Sequence, residues 1–378
     1  MAVTKHISLH LQRISLTNFK NYEFQHLDFC QKLNAFVGQN GMGKTNMLDA
    51  IYYACMCKSH FGINDRDLVR HGTDFFRLDA MLQLNDKKER IVAKVIPRQK
   101  KVFERNDVPY KRLMEHIGLF PIVMIVPDDT RLATDGSEER RRFIDNTLSQ
   151  LNRGYLEQLV VYNRLLRQRN SLLKQMGAEG RSDDPLLQAY DARICEPARS
   201  IHQTRKAFVE AFMPIFQACY QKISNDQEKV DCRYHSQLHD ARMSDLLLQN
   251  AEKDRILQRS TCGIHKDDLV FSIRGYPLKR FASQGQLKTF VLSLKLAQYE
   301  WMRREKKDNP ILLLDDIFDK LDRQRVRQLI QMLTERQFGQ VFITDTHESR
   351  LEDILKGSGS DYRKFQVVEG TVTAAPVS

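Results

Sequence analysis

The sequence predicts an α/β fold in which a mixed β-sheet is interrupted by an α-helical lobe. Three observations predict it. Apolar residues alternate with period two at 7–11, 14–22 and 33–37, as in half-buried strands. Between 138 and 258 that alternation gives way to helical periodicity. From 261 strand-like runs return at 269–273, 311–314 and 340–344, with helices between them. The expected division is a head segment at 1–125, an inserted helical lobe at 126–260 and a second head segment at 261–378.

Composition narrows the class. The chain has 378 residues, 42% hydrophobic and 28% charged, which supplies apolar material for substantial cores. No window approaches the roughly 18 apolar residues of a membrane span. Residues 1–6 also lack the layout of a secretory signal. Membrane-spanning and secreted classes are therefore excluded, and a cytoplasmic location is expected. The seven cysteines are scattered, with no C-x-x-C, and suggest neither a disulfide framework nor a zinc site. Cys55 and Cys57 read as small buried apolar residues. The formal net charge of +11 is compatible with a polyanionic partner.

In chain order, 46–56 reads as a helix directly after the third strand. Residues 78–96 and 101–112 read as further strands, with Asn106-Asp107 as a turn. The apolar run at 121–127, bracketed by prolines, is consistent with a buried strand. Within the lobe, 177–185 reads as a loop and Pro197 as a helix breaker. The tail from 370 is expected to fray.

Two motifs carry chemistry. Gly38-Gln39-Asn40-Gly41-Met42-Gly43-Lys44-Thr45 fits G-x-x-x-x-G-K-S/T without a mismatch, after a strand and before a helix. Such glycines let backbone N–H groups turn toward phosphate oxygens, and the helix N-terminus adds its dipole. Lys44 reaches the β- and γ-phosphates, and the Thr45 hydroxyl is a Mg²⁺ ligand. A glycine-rich turn with an incidental lysine would lack this context. The run Ile311-Leu312-Leu313-Leu314-Asp315-Asp316 is an apolar strand ending in two carboxylates, the Walker B pattern. Asp315 is the candidate Mg²⁺ ligand and Asp316 the candidate acceptor for an attacking water. The implied cofactors are ATP and Mg²⁺.

A third element fixes the class. Ser283-Gln284-Gly285-Gln286 precedes an amphipathic helix and the Walker B strand, and resembles the S-x-G-Q signature of ABC-type ATPases, including SMC-like heads. In that class Ser283 and the amides near Gly285 and Gln286 act in trans, on the γ-phosphate held by a second subunit. The predicted architecture is thus an ABC-type P-loop ATPase head.

Further motifs resemble the RecF family of bacterial replication and repair ATPases over nearly the whole chain. They are Leu16-Thr17-Asn18-Phe19-Lys20-Asn21-Tyr22, Pro127-Asp128-Asp129, Gly136-Ser137 and Arg140-Arg141-Arg142-Phe143-Ile144-Asp145. Gln168-Arg169-Asn170, Leu172-Leu173-Lys174, the stretch from Gly263 to Leu269, and Leu321-Asp322 of a D-loop continue the match. Ile264 and Lys266 stand where Pro and Arg are usual, and Leu287 where a second Gln is. Thr344-Asp345-Thr346-His347 lies where ABC proteins place a switch histidine, which the family tends to lack.

The resemblance implies an ATP-dependent homodimer that binds single-stranded, gapped or duplex DNA and hydrolyses ATP slowly to let go. It implies a role in DNA damage repair and the SOS response. RecO- and RecR-like mediators and a RecA-like recombinase are the implied partners.

Charge placement agrees. On an ideal helix over 151–174, Leu151, Tyr155, Leu159, Tyr162, Leu166 and Leu173 share one face, and Arg153, Arg164, Arg167 and Lys174 the opposite one. Arg98, Lys100, Lys101, Arg105, Lys111 and Arg112 surround a predicted hairpin. Both read as phosphate-contacting tracks, or as solvated faces. An ABC-transporter subunit would carry a smaller helical subdomain and coupling surfaces. A nuclease-coupled SMC-like ATPase would need more chain after 346. A small-molecule kinase has no use for S-x-G-Q.

Overall fold

The computed structural model describes residues 9–181, 183–224, 228–318, 323–334, 338–348 and 362–375. The early strands are β1 (Leu9–Phe19), β2 (Tyr22–Asp28), β3 (Leu33–Val37), β4 (Phe76–Leu84) and β5 (Lys87–Val95). Next come β6 (Val102–Arg105), β7 (Val108–Pro109), β8 (Ile122–Ile125), β9 (Val230–His235) and β10 (Asp268–Ile273). The last are β11 (Tyr276–Pro277), β12 (Ile311–Leu314), β13 (Val341–Asp345), β14 (Tyr362–Val368) and β15 (Thr371–Ala374). The helices begin with α1 (Lys44–Met56), α2 (Arg131–Thr134), α3 (Ser137–Leu151), α4 (Arg153–Glu179) and α5 (Pro185–Ser224). They end with α6 (Met243–Gln249), α7 (Ala251–Leu257), α8 (Leu278–Phe281), α9 (Gln284–Lys306) and α10 (Arg323–Thr334).

Contacts divide the chain into two compact units, the first made of Met1–Asp129, Cys219–Asn225 and Gln284–Ser378. It holds two sheets. One is antiparallel in the order β2-β1-β4-β5-β6-β7. The other runs β15-β14-β3-β13-β12-β8, parallel except for the edge strand β15. Helix α1 buries every residue but Thr45 and Asn46, and its apolar side chains share one core with strands of both sheets. That explains its lack of a polar face.

Two glutamine amides join the sheets by imitating a strand neighbour. Leu11 N donates to Gln340 Oε1 at 2.7 Å, and Gln340 Nε2 donates to the carbonyls of Leu11 at 2.8 Å and Cys30 at 2.7 Å. Gln25 and the Val372 backbone exchange a donor and an acceptor, both at 2.8 Å. Each amide satisfies buried backbone groups that would otherwise lose their water.

Several expectations are corrected here. The stretch 14–22 is not one strand but turns between β1 and β2, with Lys20 at a φ of 51°. Residues 78–96 form a hairpin on Asn85-Asp86, whose φ values of 47° and 64° suit the two-residue turn that matches strand twist. Asn106-Asp107, at 52° and 64°, makes the second such turn, as expected. Helix α5 runs through Pro197 and Pro214. Ile194, Ala198 and Ile201 around Pro197 are all buried, and tertiary packing offsets the lost hydrogen bond. The tail is not frayed from 370, because Thr371–Ala374 pairs with β14.

The second unit comprises Thr130–Ala218 and Asp226–Ser283. Its extent differs from the expected lobe at 126–260. Strand β9 lies inside the stretch read as helical, and β10, read as the return to the head sheet, pairs with it instead. Val230 and Cys232 are buried with period two, but the six-residue alternation is short beside the helical periodicity on either side of it. The predicted helix over 151–174 is divided as well, since Asn152 caps α4 by accepting from Tyr155 N at 2.9 Å.

Two buried arginines organise this unit. Arg169 on α4 binds Asp191 Oδ1 at 2.5 Å, Asp254 Oδ2 at 2.7 Å and Ser260 Oγ at 2.8 Å. Arg205 on α5 binds Asp267, Asp145 and the Ile264 carbonyl at 2.8–2.9 Å. Removing one partner of such a pair strands a buried charge. Arg169→Ala is therefore expected to destabilise the protein by about 3–5 kcal/mol, seen as a lower urea midpoint by circular dichroism. A loss below about 1 kcal/mol would place the pair among weak surface ion pairs.

Candidate nucleotide site

The site sits at the carboxyl ends of three interior strands of the parallel sheet. Strand β13 lies between β3 and β12, and all three run the same way. Their carboxyl ends therefore bring together Gly38 after β3, Asp315 after β12 and Thr344 near the end of β13. The carboxyl ends of the strands are where open α/β sheets hold ligands.

The loop from Gly38 to Gly43 owes its shape to its glycines. Gly41 and Gly43 have φ values of 82° and 118°, a region that side chains rarely adopt. A Cβ on Gly43 would lie 2.5 Å from Asn21 Nδ2, and one on Gly38 would lie 2.3 Å from the Val367 carbonyl oxygen. Neighbours hold the loop. Tyr22 Oη donates to the Gly43 carbonyl at 2.9 Å, and Asn21 Nδ2 donates to the Met42 carbonyl at 3.2 Å. Gly370 N donates to that same carbonyl at 3.0 Å. Gln39, Asn40 and Gly41 are exposed at the tip.

The chemistry-bearing side chains converge below the loop. Lys44 is buried, and its Nζ donates to the Gly38 and Gln39 carbonyls at 2.7 and 3.1 Å, 3.7 Å from Asp316 Oδ2. Thr45 Oγ1 lies 3.0 and 2.9 Å from the two oxygens of Asp315. Thr344 Oγ1 donates to Asp315 Oδ1 at 2.8 Å and accepts from Asp316 N at 2.9 Å. Burial pushes the Asp315 carboxyl up to about 6, and the Asp316 charge adds to this. The two threonine hydroxyls and Lys44 act the other way. Asp316 stands in the left-handed region, at a φ of 41°.

Thr45 and Asp315 thus offer adjacent hard oxygen donors, the set that fits Mg²⁺. The loop amides, the α1 N-terminus and Lys44 offer an anion cradle. Nothing in the sequence alone marks these roles for Tyr22, Asn21 or Thr344, although each lies within a family-like motif. Ser283, Gly285 and Gln286 belong to a different element, the start of α9. Ser283 is exposed, and a Cβ on Gly285 would lie 3.2 Å from Arg325 NH1. His347 is exposed, and its N–H donates to Asp345 Oδ1 at 2.8 Å. Leu321-Asp322 lie outside the described residues.

The basic tracks are thinner than the sequence suggested. Arg105 is bound by Glu89 at 2.7 Å, Lys101 by Asp65 at 2.9 Å and Arg153 by Glu157 at 3.1 Å. Arg164, Arg167 and Lys174 on α4 are exposed, as are Arg98, Lys100, Lys111 and Arg112. The buried stripe of α4 is Tyr155, Tyr162, Leu165, Arg169, Leu172, Leu173 and Met176, so Leu159 and Leu166 are only half-buried.

Comparison with known proteins agrees with this geometry. Residues 10–364 match the family model described as the RecF/RecN/SMC N terminal domain. A protein of Flavobacterium johnsoniae named DNA replication and repair protein RecF is 44% identical over 359 residues, 95% of this chain and 100% of the relative. The chain belongs to the RecF family. Its namesake in Bacteroides thetaiotaomicron is 44% identical over 96% of this chain and 98% of its own. A solved structure of the recombination mediator protein RecF with ATP, in the RecFOR pathway, matches all of both chains with a TM-score of 0.88 at 28% identity. The Smc head domain of Pyrococcus furiosus, at 16% identity and a TM-score of 0.56 over 98% of this chain and 96% of its own, shares the fold. The chain has the α/β fold of RecF and SMC-type ATPase heads.

Gly43→Ala tests the loop geometry. The left-handed φ and the 2.5 Å approach to Asn21 are expected to cost about 1–3 kcal/mol, read as a lower thermal midpoint. An unchanged midpoint would mean that the loop does not hold this conformation.

Proposed function

We propose that this chain is an ATP-dependent DNA-binding protein of DNA replication and recombinational repair. It acts as a slow ATPase switch that closes into a homodimer on DNA. The observation that carries this reading is the convergence of Lys44, Thr45, Asp315 and Asp316 at the carboxyl ends of the parallel strands, in a chain 44% identical to a DNA replication and repair protein over 95% of its length. ATP binding to a solved RecF supports the choice of nucleotide.

Each residue has a task. Lys44 leaves the carbonyls of Gly38 and Gln39 for the β- and γ-phosphates, and the loop amides bind the remaining oxygens. Thr45 and Asp315 would hold Mg²⁺, which neutralises phosphate charge when bound. Asp316, part-exposed beside Lys44, accepts the proton of the attacking water. Ser283 and the amides of Gly285 and Gln286 serve the γ-phosphate of a second copy, which makes the dimer ATP-dependent. Arg164, Arg167 and Lys174 contact DNA phosphates without reading sequence. Single-stranded, gapped or duplex DNA, mediators of the RecO and RecR kind, a RecA-like recombinase and a cytoplasmic location complete the proposal.

Asp316→Asn tests the switch, since the acceptor is lost while Thr45 and Asp315 are intact. Hydrolysis is expected to fall by about 10²–10⁴-fold with ATP still bound. Size-exclusion chromatography with ATP should show a dimer that leaves DNA more slowly than wild type. Normal hydrolysis would move the general base elsewhere, and a monomer with ATP bound would remove the dimer from the account.

A further inference from the structure

In the second unit two imidazoles meet edge to edge. His202 lies on α5, and His239 closes the turn Gln237–His239 that follows β9. His202 Nε2 and His239 Nδ1 are 3.2 Å apart, with ring centroids 5.0 Å apart and planes at 67°. His239 Nε2 lies 3.0 Å from the Tyr234 carbonyl. A carbonyl only accepts, so in the neutral ring Nε2 carries the proton and Nδ1 turns its lone pair toward His202.

Both rings are fixed from behind. The turn bearing His239 is tied down by Ser236 Oγ, which accepts from Leu238 N at 3.2 Å, and by Gln237 Oε1, which accepts from Gly263 N at 3.1 Å. His202 stands three residues before the buried Arg205, whose guanidinium is bound by Asp145 and Asp267. The Tyr234 ring packs against both imidazoles, at 5.8 and 5.3 Å, and its hydroxyl donates to Asp267.

The separation of the two nitrogens matches the bite of a tetrahedral ion. With zinc–imidazole bonds of about 2.0–2.1 Å, two ligands at the tetrahedral angle lie about 3.3 Å apart. A metal-bound histidine usually donates its other N–H to a carbonyl or carboxylate, and His239 already does so. We propose that His202 Nε2 and His239 Nδ1 form an open two-imidazole site for a divalent transition-metal ion of the zinc class, with water in the other positions.

Without the ion, His202 donates its Nε2 proton to His239 Nδ1. When the ion takes the place of that shared proton, the His202 proton moves to Nδ1. Among the described residues no three His, Cys, Asp or Glu side chains form a metal-holding group, so the described residues supply this site with the two imidazoles alone. Asp267, with Oδ1 buried and without a hydrogen-bond partner, contributes negative charge. Burial first, and then the neighbouring His239, hold His202 below the usual imidazole range, as do Lys206 and Arg205, while Asp267 opposes them.

Titrating the full chain with Zn²⁺ by calorimetry tests the site, with His202→Gln, His239→Gln and the double variant alongside. A Zn²⁺ binding event is expected at neutral pH that either substitution weakens at least tenfold, because each removes one of the two imidazole ligands. Ring NMR signals of His202 and His239 should shift together with added Zn²⁺. His239 is exposed, so its variant keeps the fold, and circular dichroism checks that. No binding event, or one of unchanged affinity in the double variant, overturns the proposal.

Discussion

The Asp315 carboxylate meets hydroxyls from two other elements, Thr45 at the start of α1 and Thr344 on β13. Three parallel strands must end side by side for this to happen, and the remaining site geometry follows. The phosphate loop is the connection that delivers Thr45, and the turn after β12 delivers Asp316 beside Lys44. A carboxylate this buried is costly unless hydrogen-bonded. The two hydroxyls meet that need while leaving a hard-oxygen face for a cation.

The same economy of buried polar groups recurs across the first unit. Asp49, the one charged residue of α1 beyond Lys44, accepts from Lys20 Nζ at 2.6 Å, Ser59 Oγ at 2.8 Å and His60 N at 2.8 Å. Lys20 immediately precedes Asn21 and Tyr22, the two residues that grip the phosphate loop. The turn after β1 therefore anchors both the loop and the helix behind it. Gln340 and Gln25 do for the sheets what Asp49 does for the helix.

What was legible in the sequence is what the backbone itself demands. Gly41 and Gly43 mark left-handed positions, Asn106-Asp107 marks a tight turn, and the uninterrupted run from Ile311 to Leu314 marks a strand buried on both faces. The nucleotide motifs were legible because phosphate chemistry ties particular residue types to fixed spacings. Pairing between distant segments was not. Nothing local in Val230–His235 announces β10 as its partner, and nothing at 371–374 announces β14. Thr344, Gln340, Arg169 and Arg205 act through groups from 22 to 329 residues away, a separation at which periodicity is silent. The helix broken at Asn152 and the one continuous through Pro197 show local propensity first heeded and then overridden by packing.

The central claim is that Thr45 and Asp315 form one cation-binding pair serving a nucleotide held by Lys44. Calorimetric titration with ATP, with Mg²⁺ and with chelator, tests it in wild type and in Asp315→Asn. The account predicts that Mg²⁺ tightens ATP binding in wild type by tenfold or more, about 1.4 kcal/mol. In Asp315→Asn, ATP should bind equally weakly with Mg²⁺ or chelator. An undiminished Mg²⁺ effect in the variant would contradict the account.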